Sequence, residues 1–438
     1  MLGAAGRVLA AGGGAATTVI VARLLGPADT GSFAVAVAGL ALLLTFTTLG
    51  AEHGVAYYVS RREWSPRNAL RVVVRLALAT GGVIGAGCTA VVLLLDVRIG
   101  GLTAWQLALV AGTLPFVLTW YYASYVAVAD ERFEVFVIPP ALQAVVMLVA
   151  VAVLAVPFGL WGVLAGLVLS HAVPATVTLL QAAAQLSRRP EDGAEHGRAF
   201  LTRAIGFGIK GYAANALQVL TYRVDIMILA GVASAASVGH YSVATSVTLT
   251  LLLLPQALNE MLYPRVAALT AEQSADAAMQ RYIVELKTVR HATLVVIAGS
   301  ALLALALVLL VKPLYGPAFG PAIELGLIRM PGVALLGVAG AMSAAFVGRG
   351  YPQYALYGAL LVVPVTMGLF GALIPLWGAT GAAVAATTSF TLSFLAAAYF
   401  YRRVTDHNPL VAMWPTRSEL SDYVELVNLL RRRFSRRS

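Results

Sequence analysis

The chain is 438 residues long, 60% hydrophobic and only 11% charged, with a mean hydropathy of +0.83. A soluble domain of that length cannot bury so much apolar surface, so lipid must solvate much of it. The formal net charge of +10 is scattered through short gaps between apolar runs and forms no basic face for nucleic acid, and the single cysteine, Cys88, excludes internal disulfides and cysteine-based metal sites.

A helix needs about 20 residues to cross the hydrocarbon core. Twelve apolar segments of that size follow one another, at 3–23, 32–58, 70–95, 103–127, 135–156, 159–185, 203–230, 238–263, 289–311, 325–347, 355–375 and 379–401. The stretch from Met1 to Ala22, with Arg7 ahead of apolar residues, has the layout of a signal peptide, but a motif beginning at Val21 continues it without a break, so it is read as the first span. Segments so long and evenly apolar are helices, not alternating barrel strands, and the predicted class is an all-α membrane protein.

With the N-terminus on the cytoplasmic side, 24 of the 30 Lys and Arg residues fall inside, three (Arg23, Arg98, Lys312) outside, and three (Lys210, Arg223, Arg329) within spans. That bias places both termini in the cytoplasm. An internal repeat is also visible. Gly31, Phe33, Val35 and Ala36 recur at an offset of 208 as Gly239, Tyr241, Val243 and Ala244, and "GLWGVLAG" from Gly159 recurs at an offset of 219 as "GATGAAVA" from Gly378. The predicted organisation is a six-helix lobe at 1–186, a cytoplasmic linker at 187–200, a second lobe at 201–403 and a basic tail at 404–438. An even number of helices per lobe gives the two the same orientation, related by an axis along the membrane normal, with a substrate site at the repeat interface.

The segments "VARLLGPADTGSFAVAVAGLALLLTFTTLG", "RVDIMILAG" followed by "VGHYSVA", "LYPRVAAL" and "GLWGVLAG" resemble those of the Wzx-type polysaccharide flippases, within the multidrug/oligosaccharidyl-lipid/polysaccharide (MOP) exporter superfamily. The resemblance covers nearly the whole chain. It implies two six-helix lobes around a central V-shaped cavity, as in the MATE exporters. It also implies alternating-access flipping of an undecaprenyl-diphosphate-linked oligosaccharide in the cytoplasmic membrane of a prokaryote, alongside polysaccharide-assembly machinery.

A charge at the centre of a span costs roughly 2.5–3.5 kcal/mol on insertion scales, so ionisable residues there usually face a bundle interior or a wet cavity. Glu52, Asp225 and Glu260 qualify, and the 208 offset carries Glu52 onto Glu260. Thr45, Thr48 and Glu52 share a face of the second span; Ser242, Thr245, Gln256 and Glu260 share one on the eighth; Asn215, Gln218, Tyr222 and Asp225 share one on the seventh. The expected cavity residues are therefore Lys210, Asn215, Gln218, Arg223, Asp225 and Gln256, with Glu52, Glu260 and His53 as ion-coupling or gating groups. The competing reading pairs Asp225 with Arg223 or Lys210 inside the bundle, makes Arg23 an interfacial anchor, and makes His53 and His171 packing residues. Pro115, Pro139, Pro140, Pro174, Pro255, Pro331 and Pro364 are expected to bend their helices.

After Pro415 the tail offers a capping box in "TRSE", then Leu420, Val424, Val427 and Leu430 on one helical face and a terminal "RRRFSRR", a pattern suited to anionic lipid at the inner leaflet. The sequence holds no nucleotide-binding loop, metal-ligand cluster or long polar loop for a soluble active site, so no metal or cofactor is expected, and an H+ or Na+ gradient or the substrate's own gradient must supply the energy. The alternatives are a cation-coupled multidrug exporter of the same superfamily and, from another class, a membrane-embedded polysaccharide polymerase or ligase. The latter is disfavoured by the short external loop near 312–324.

Overall fold

The computed structural model describes residues 2–48, 50–130, 133–186, 198–272 and 274–414. The expected linker, from Ser187 to Gly197, and the amphipathic tail after Trp414 lie outside them. Every named element is helical: α1 (Leu2–Thr48), α2 (Ala51–Ser60), α3 (Pro66–Leu94), α4 (Ala104–Ala111), α5 (Leu114–Ala129), α6 (Phe133–Leu186), α7 (Arg198–Val232), α8 (Ala235–Leu249), α9 (Leu253–Ala271), α10 (Ala275–Tyr315), α11 (Gly320–Gly348), α12 (Gln353–Thr405) and α13 (Pro409–Met413). Among the described residues the only β feature is an isolated bridge between Ile99 and Leu102, in the turn after α3.

Helices α1, α6 and α12, of 47, 54 and 53 residues, are about twice as long as a bilayer crossing requires. Each is two spans joined at one non-helical glycine: Gly26 (φ 79, ψ −173), Gly159 (φ 55, ψ −135) and Gly378 (φ 58, ψ −131). Among the described residues, eight helical stretches are long and apolar enough to cross a membrane. Resolving the three doubled ones and adding α7, which falls short of them through its polar residues, recovers the twelve spans read from the sequence.

Three of those spans are interrupted where the sequence suggested continuous helices. The second breaks between α1 and α2, at Gly50 (φ 77, ψ 10). The fourth breaks between α4 and α5, just ahead of Pro115, which has no N–H to continue the ladder. The eighth tightens into a 3-10 turn at Thr250–Leu252, just before Pro255. Pro139, Pro140 and Pro174 are carried within α6, and Pro331 within α11.

Two compact units are distinguishable. One comprises the chain up to Ala244 with Leu310–Leu325 and Phe370–Ala382; the other comprises Thr245–Leu309, Gly326–Leu369 and the chain from Ala383. In the first, Val55 and Val59 of α2, Val73 of α3, and Leu114, Leu118 and Tyr122 of α5 form a dry cluster that reaches Ala204 of α7. In the second, Val266, Val289, Met342, Phe346 and Tyr401 do the same for α9 to α12.

Within the first unit, small residues set two helix crossings. A Cβ on Gly31 would overlap the carbonyl oxygen of Ala235, and one on Gly239 would overlap that of Pro27. Adding 208 turns Pro27 into Ala235 and Gly31 into Gly239, so the contact is reciprocal and its two sides are repeat-related. Likewise Gly54 faces the carbonyl of Ala204, and Gly208 that of Gly50, where α2 crosses α7. Contacts this close need residues with little or no side chain, spaced four apart. The second repeat is equally literal: Gly162 abuts the carbonyl of Leu154 as Gly381 abuts that of Leu373, each pair offset by 219.

Candidate functional site

The break at Gly50 organises the site. It leaves α2 starting at Ala51, so Glu52 stands in the first helical turn, where unsatisfied N–H groups favour negative charge. The carbonyl end of α1 lies on the other side of the break. There Tyr212 Oη donates to the Thr45 carbonyl at 3.0 Å, Thr48 Oγ1 donates to Tyr212 Oη at 2.9 Å, and Tyr122 Oη donates to the Thr48 carbonyl at 3.3 Å.

Glu52 is completely buried, and neither carboxylate oxygen has a hydrogen-bond partner among the described residues. Tyr121, Tyr122, Tyr125 and Tyr212 lie within electrostatic reach of it. His53 Nε2 stands 3.9 Å from Oε1, and its ring meets Tyr125 edge-on with centroids 5.4 Å apart. The stripe of Thr45, Thr48 and Glu52 is thus carried across a break rather than along one helix. The polar groups on its near side are satisfied by tyrosines from α5 and α7, whereas the carboxylate accepts no hydrogen bond among the described residues.

The other expected residues are distributed differently. Asp225 on α7 is buried and accepts from Tyr241 Oη on α8, while its Oδ1 accepts from the N–H of Ile226 at 2.8 Å. Asn215 and Gln218 are exposed on α7, and Gln218 Nε2 donates to Tyr222 Oη at 3.1 Å. Arg223 is half-buried on the same helix, and Gln256 is exposed near the start of α9. Lys210 lies on α7 and Glu260 on α9, with side chains outside the description. The backbone around the two repeat-related acids is not equivalent. The second repeat breaks at Thr250–Leu252, which the 208 offset maps to 42–44, not to Gly50.

His171 is buried and held by Gln143 Nε2 at 3.1 Å and the Leu167 carbonyl at 2.9 Å, in keeping with a packing role. Arg23 donates to the carbonyls of Pro313 and Leu314, as an anchor would. Among the described residues no cluster of His, Cys, Asp and Glu could hold a metal ion.

Sequence reasoning missed a buried charge cluster in the second unit. Glu285 on α10 is fully buried and takes Arg349 in bidentate fashion, Nε to Oε1 at 2.7 Å and Nη2 to Oε2 at 2.6 Å. Arg349 Nη1 also donates to the Val404 carbonyl at 3.0 Å, and His407 Nε2 lies 3.4 Å from Glu285 Oε2. The cluster fastens the ends of α11 and α12 to α10. Arg329, buried in α11 with its guanidinium 5.7 Å from the Phe390 ring centre, is a second cation the sequence flagged as intramembrane without assigning it a role.

The all-helical bundle with its broken helices has the fold of several solved membrane transporters. An inward-facing multidrug resistance MATE family transporter of the MOP superfamily shares the fold with a TM-score of 0.71 at 13% identity, covering 90% of this chain and 94% of that one. Lipid II flippase MurJ, in an inward closed conformation, shares it with a TM-score of 0.69 at 11% identity over 90% and 86%. An outward-facing MATE transporter gives 0.58 at 14% over 89% and 96%. No curated protein matches by sequence. The family model described as "Polysaccharide biosynthesis protein" matches residues 20–324, and the chain belongs to that family.

Proposed function

We propose that the protein flips a lipid-linked oligosaccharide, of the undecaprenyl-diphosphate class, across the cytoplasmic membrane of a prokaryote to supply cell-surface polysaccharide assembly. It works by alternating access between two six-helix lobes, residues 1–186 and 201–403. The observation that supports this most is Glu52, a buried carboxylate with no hydrogen-bond partner, beside a helix break in a member of a polysaccharide biosynthesis family. Such a group draws a cation out of water, and the carbonyl end of a broken helix adds oxygens suited to the same ion. Uptake of H+ or Na+ from one side and release to the other would couple the cycle to a gradient. Glu260 takes the corresponding part in the second half, and His53 adjoins the first. Lys210 and Arg223 supply positive charge for the diphosphate, with Asn215, Gln218, Asp225 and Gln256 lining its path. The basic tail adds a hold on anionic lipid.

Glu52→Gln and Glu260→Gln are nearly isosteric, so charge rather than shape is under test. Each is expected to cut polysaccharide export at least tenfold in a complementation assay at unchanged membrane abundance. Glu63→Gln, at an exposed loop position paired with Arg61 at 2.7 Å, leaves export intact. Export retained by both Gln variants together with loss of drug resistance would move the reading to a cation-coupled multidrug exporter. Topology is tested separately. In a Cys88→Ser background, cysteines placed at Gly193 and Ala235 should be labelled from the cytoplasm and from outside, respectively. Labelling of Gly193 from outside would break the two-lobe reading.

A further inference from the structure

Two turns on one side of the membrane, the outside by the charge bias, are held in repeat-related ways. The first, residues 95–103, joins α3 to α4; the second, residues 316–319, joins α10 to α11. Ser32 Oγ of α1 donates to the Gly100 carbonyl in the first turn at 2.9 Å, and His240 Nε2 of α8 donates to the Ala318 carbonyl in the second at 3.0 Å. Ser32 and His240 are 208 residues apart, the repeat offset, and Gly100 and Ala318 are 218 apart, within one residue of the second offset. Each turn also reaches the opposite half. The Gly100 N–H donates to the Ala230 carbonyl of α7 at 3.2 Å, while Arg23 of α1 donates to the carbonyls that end α10, Nη2 to Pro313 and Nε to Leu314 at 2.8 Å. Ala230 and Ala22, the neighbour of Arg23, again differ by 208. So each turn is bonded to the second span of its own half and to the first span of the other, and all these residues lie in the first compact unit.

The two clasps differ in chemistry. In the first, the partners are backbone groups and the hydroxyl of Ser32, which is 2% exposed. The turn lies so close that a Cβ on Gly100 would overlap Val35, and one on Gly101 the Ser32 hydroxyl. Parting those groups would leave buried donors and acceptors unpaired. In the second, Arg23 is exposed, and so are Pro313, Leu314 and Ala318, whose carbonyls are gripped. Pro317 has no N–H to return to the Pro313 carbonyl, so that oxygen looks outside its helix for a donor. Carbonyls at an exposed helix end exchange a side-chain donor for water with little loss. Tyr315 and Fhe319 are buried beneath them, and the His240 ring meets Phe319 edge-on with centroids 5.8 Å apart.

We propose that the turn between α10 and α11 is the part that moves when the outer side opens, with Arg23 and His240 as its latch, and that the turn between α3 and α4 is its fixed counterpart. The proposal rests on the alternating-access reading and adds to it which of two symmetric turns yields. The symmetry of the backbone permits either; the exposure of the bonds selects the second.

Hydrogen exchange of the full-length protein in nanodiscs compares the two turns directly. Arg23→Met keeps the side chain's stem and His240→Phe keeps a ring against Phe319, and both remove the donors. In the double variant, amides of 314–320 should exchange roughly tenfold faster than in the unaltered protein, while those of 97–102 stay as they were. Equal acceleration of both turns, or of neither, overturns the proposal. Ser32→Ala should instead lower the melting temperature and leave exchange at 314–320 unchanged; acceleration confined to 314–320 in that variant would mean that the latch is misassigned.

A reversible lock keeps the test independent of folding. In a Cys88→Ser background, cysteines replace Leu24 and Leu314, exposed side chains beside the latch, and are joined by a bis-maleimide with a disulfide in its spacer. In proteoliposomes, flipping of a fluorescent polyprenyl-diphosphate oligosaccharide should fall roughly tenfold on crosslinking and return on reduction. Flipping that persists under the crosslink overturns the proposal. Protein that flips nothing even before crosslinking sinks the flippase reading, and the exchange contrast between the two turns then decides the latch alone.

Discussion

Arg349→Ala is expected to leave little folded protein in the membrane. The substitution strands Glu285 as a buried carboxylate with His407 still beside it, and it frees the Val404 carbonyl at the end of α12. Breaking a buried, bidentate pair by removing one partner costs about 3–5 kcal/mol, a large part of the roughly 5–15 kcal/mol that keeps a typical domain folded. Glu285→Ala should be as damaging, because Arg349 is only slightly exposed in the folded chain. Yield of monodisperse protein, followed by size-exclusion chromatography of a fluorescent fusion, reads the effect. The double variant Glu285→Leu with Arg349→Met should recover part of the loss, since replacing both charges by apolar side chains removes the desolvation cost along with the attraction. If the double variant is worse than either single one, the cluster does more than tie α11 and α12 to α10.

The second large effect concerns glycine-to-alanine substitutions, and its sign depends on place. In a helix this change usually stabilises by about 0.5–1 kcal/mol, because glycine loses more backbone freedom on folding. Gly82, whose added Cβ would meet open space, should follow that rule. Gly31, Gly239, Gly54 and Gly208 should reverse it, because each added methyl lands on a backbone carbonyl that no rotamer change can move. Overpacking of this kind costs about 1–3 kcal/mol or more. Melting temperatures of the detergent-solubilised variants should therefore rise slightly for Gly82→Ala and fall by several degrees for the other four. A fall of equal size at Gly82 would mean that helix geometry, not the crossing, sets the response.

The spans were legible in the sequence because lipid imposes a length and a polarity that survive in a hydropathy profile. The repeat was legible because its glycines are required by backbone contact: Gly31 and Gly239 stood out as a motif, and in the fold each seats the other's helix. The break at Gly50 was not legible. Gly39 and Gly54, nearby on the same span, remain helical, so composition gives no sign of which glycine will leave the helix. Glu52 was found as an intramembrane acid, but its partnerless state depends on tyrosines of α5 and α7 far along the chain. Glu285 escaped for a related reason. It precedes the apolar run at 289–311 and reads as one of several loop charges, yet α10 begins at Ala275 and carries it into the bundle, where its partner is 64 residues away.

The turns at Gly159 and Gly378 carry one more consequence. Their backbone angles differ by only a few degrees, and a Cβ at either would touch nothing within 4 Å. Space therefore does not restrict these positions; handedness does. Angles near +55° and −135° are the mirror image of about −55° and +135°, an ordinary extended conformation for an L-residue, so a D-alanine introduced by chemical synthesis would sit there unstrained where L-alanine would not. Each of these hairpins between spans is closed by a single inverted residue, which among the genetically encoded amino acids falls to the achiral one.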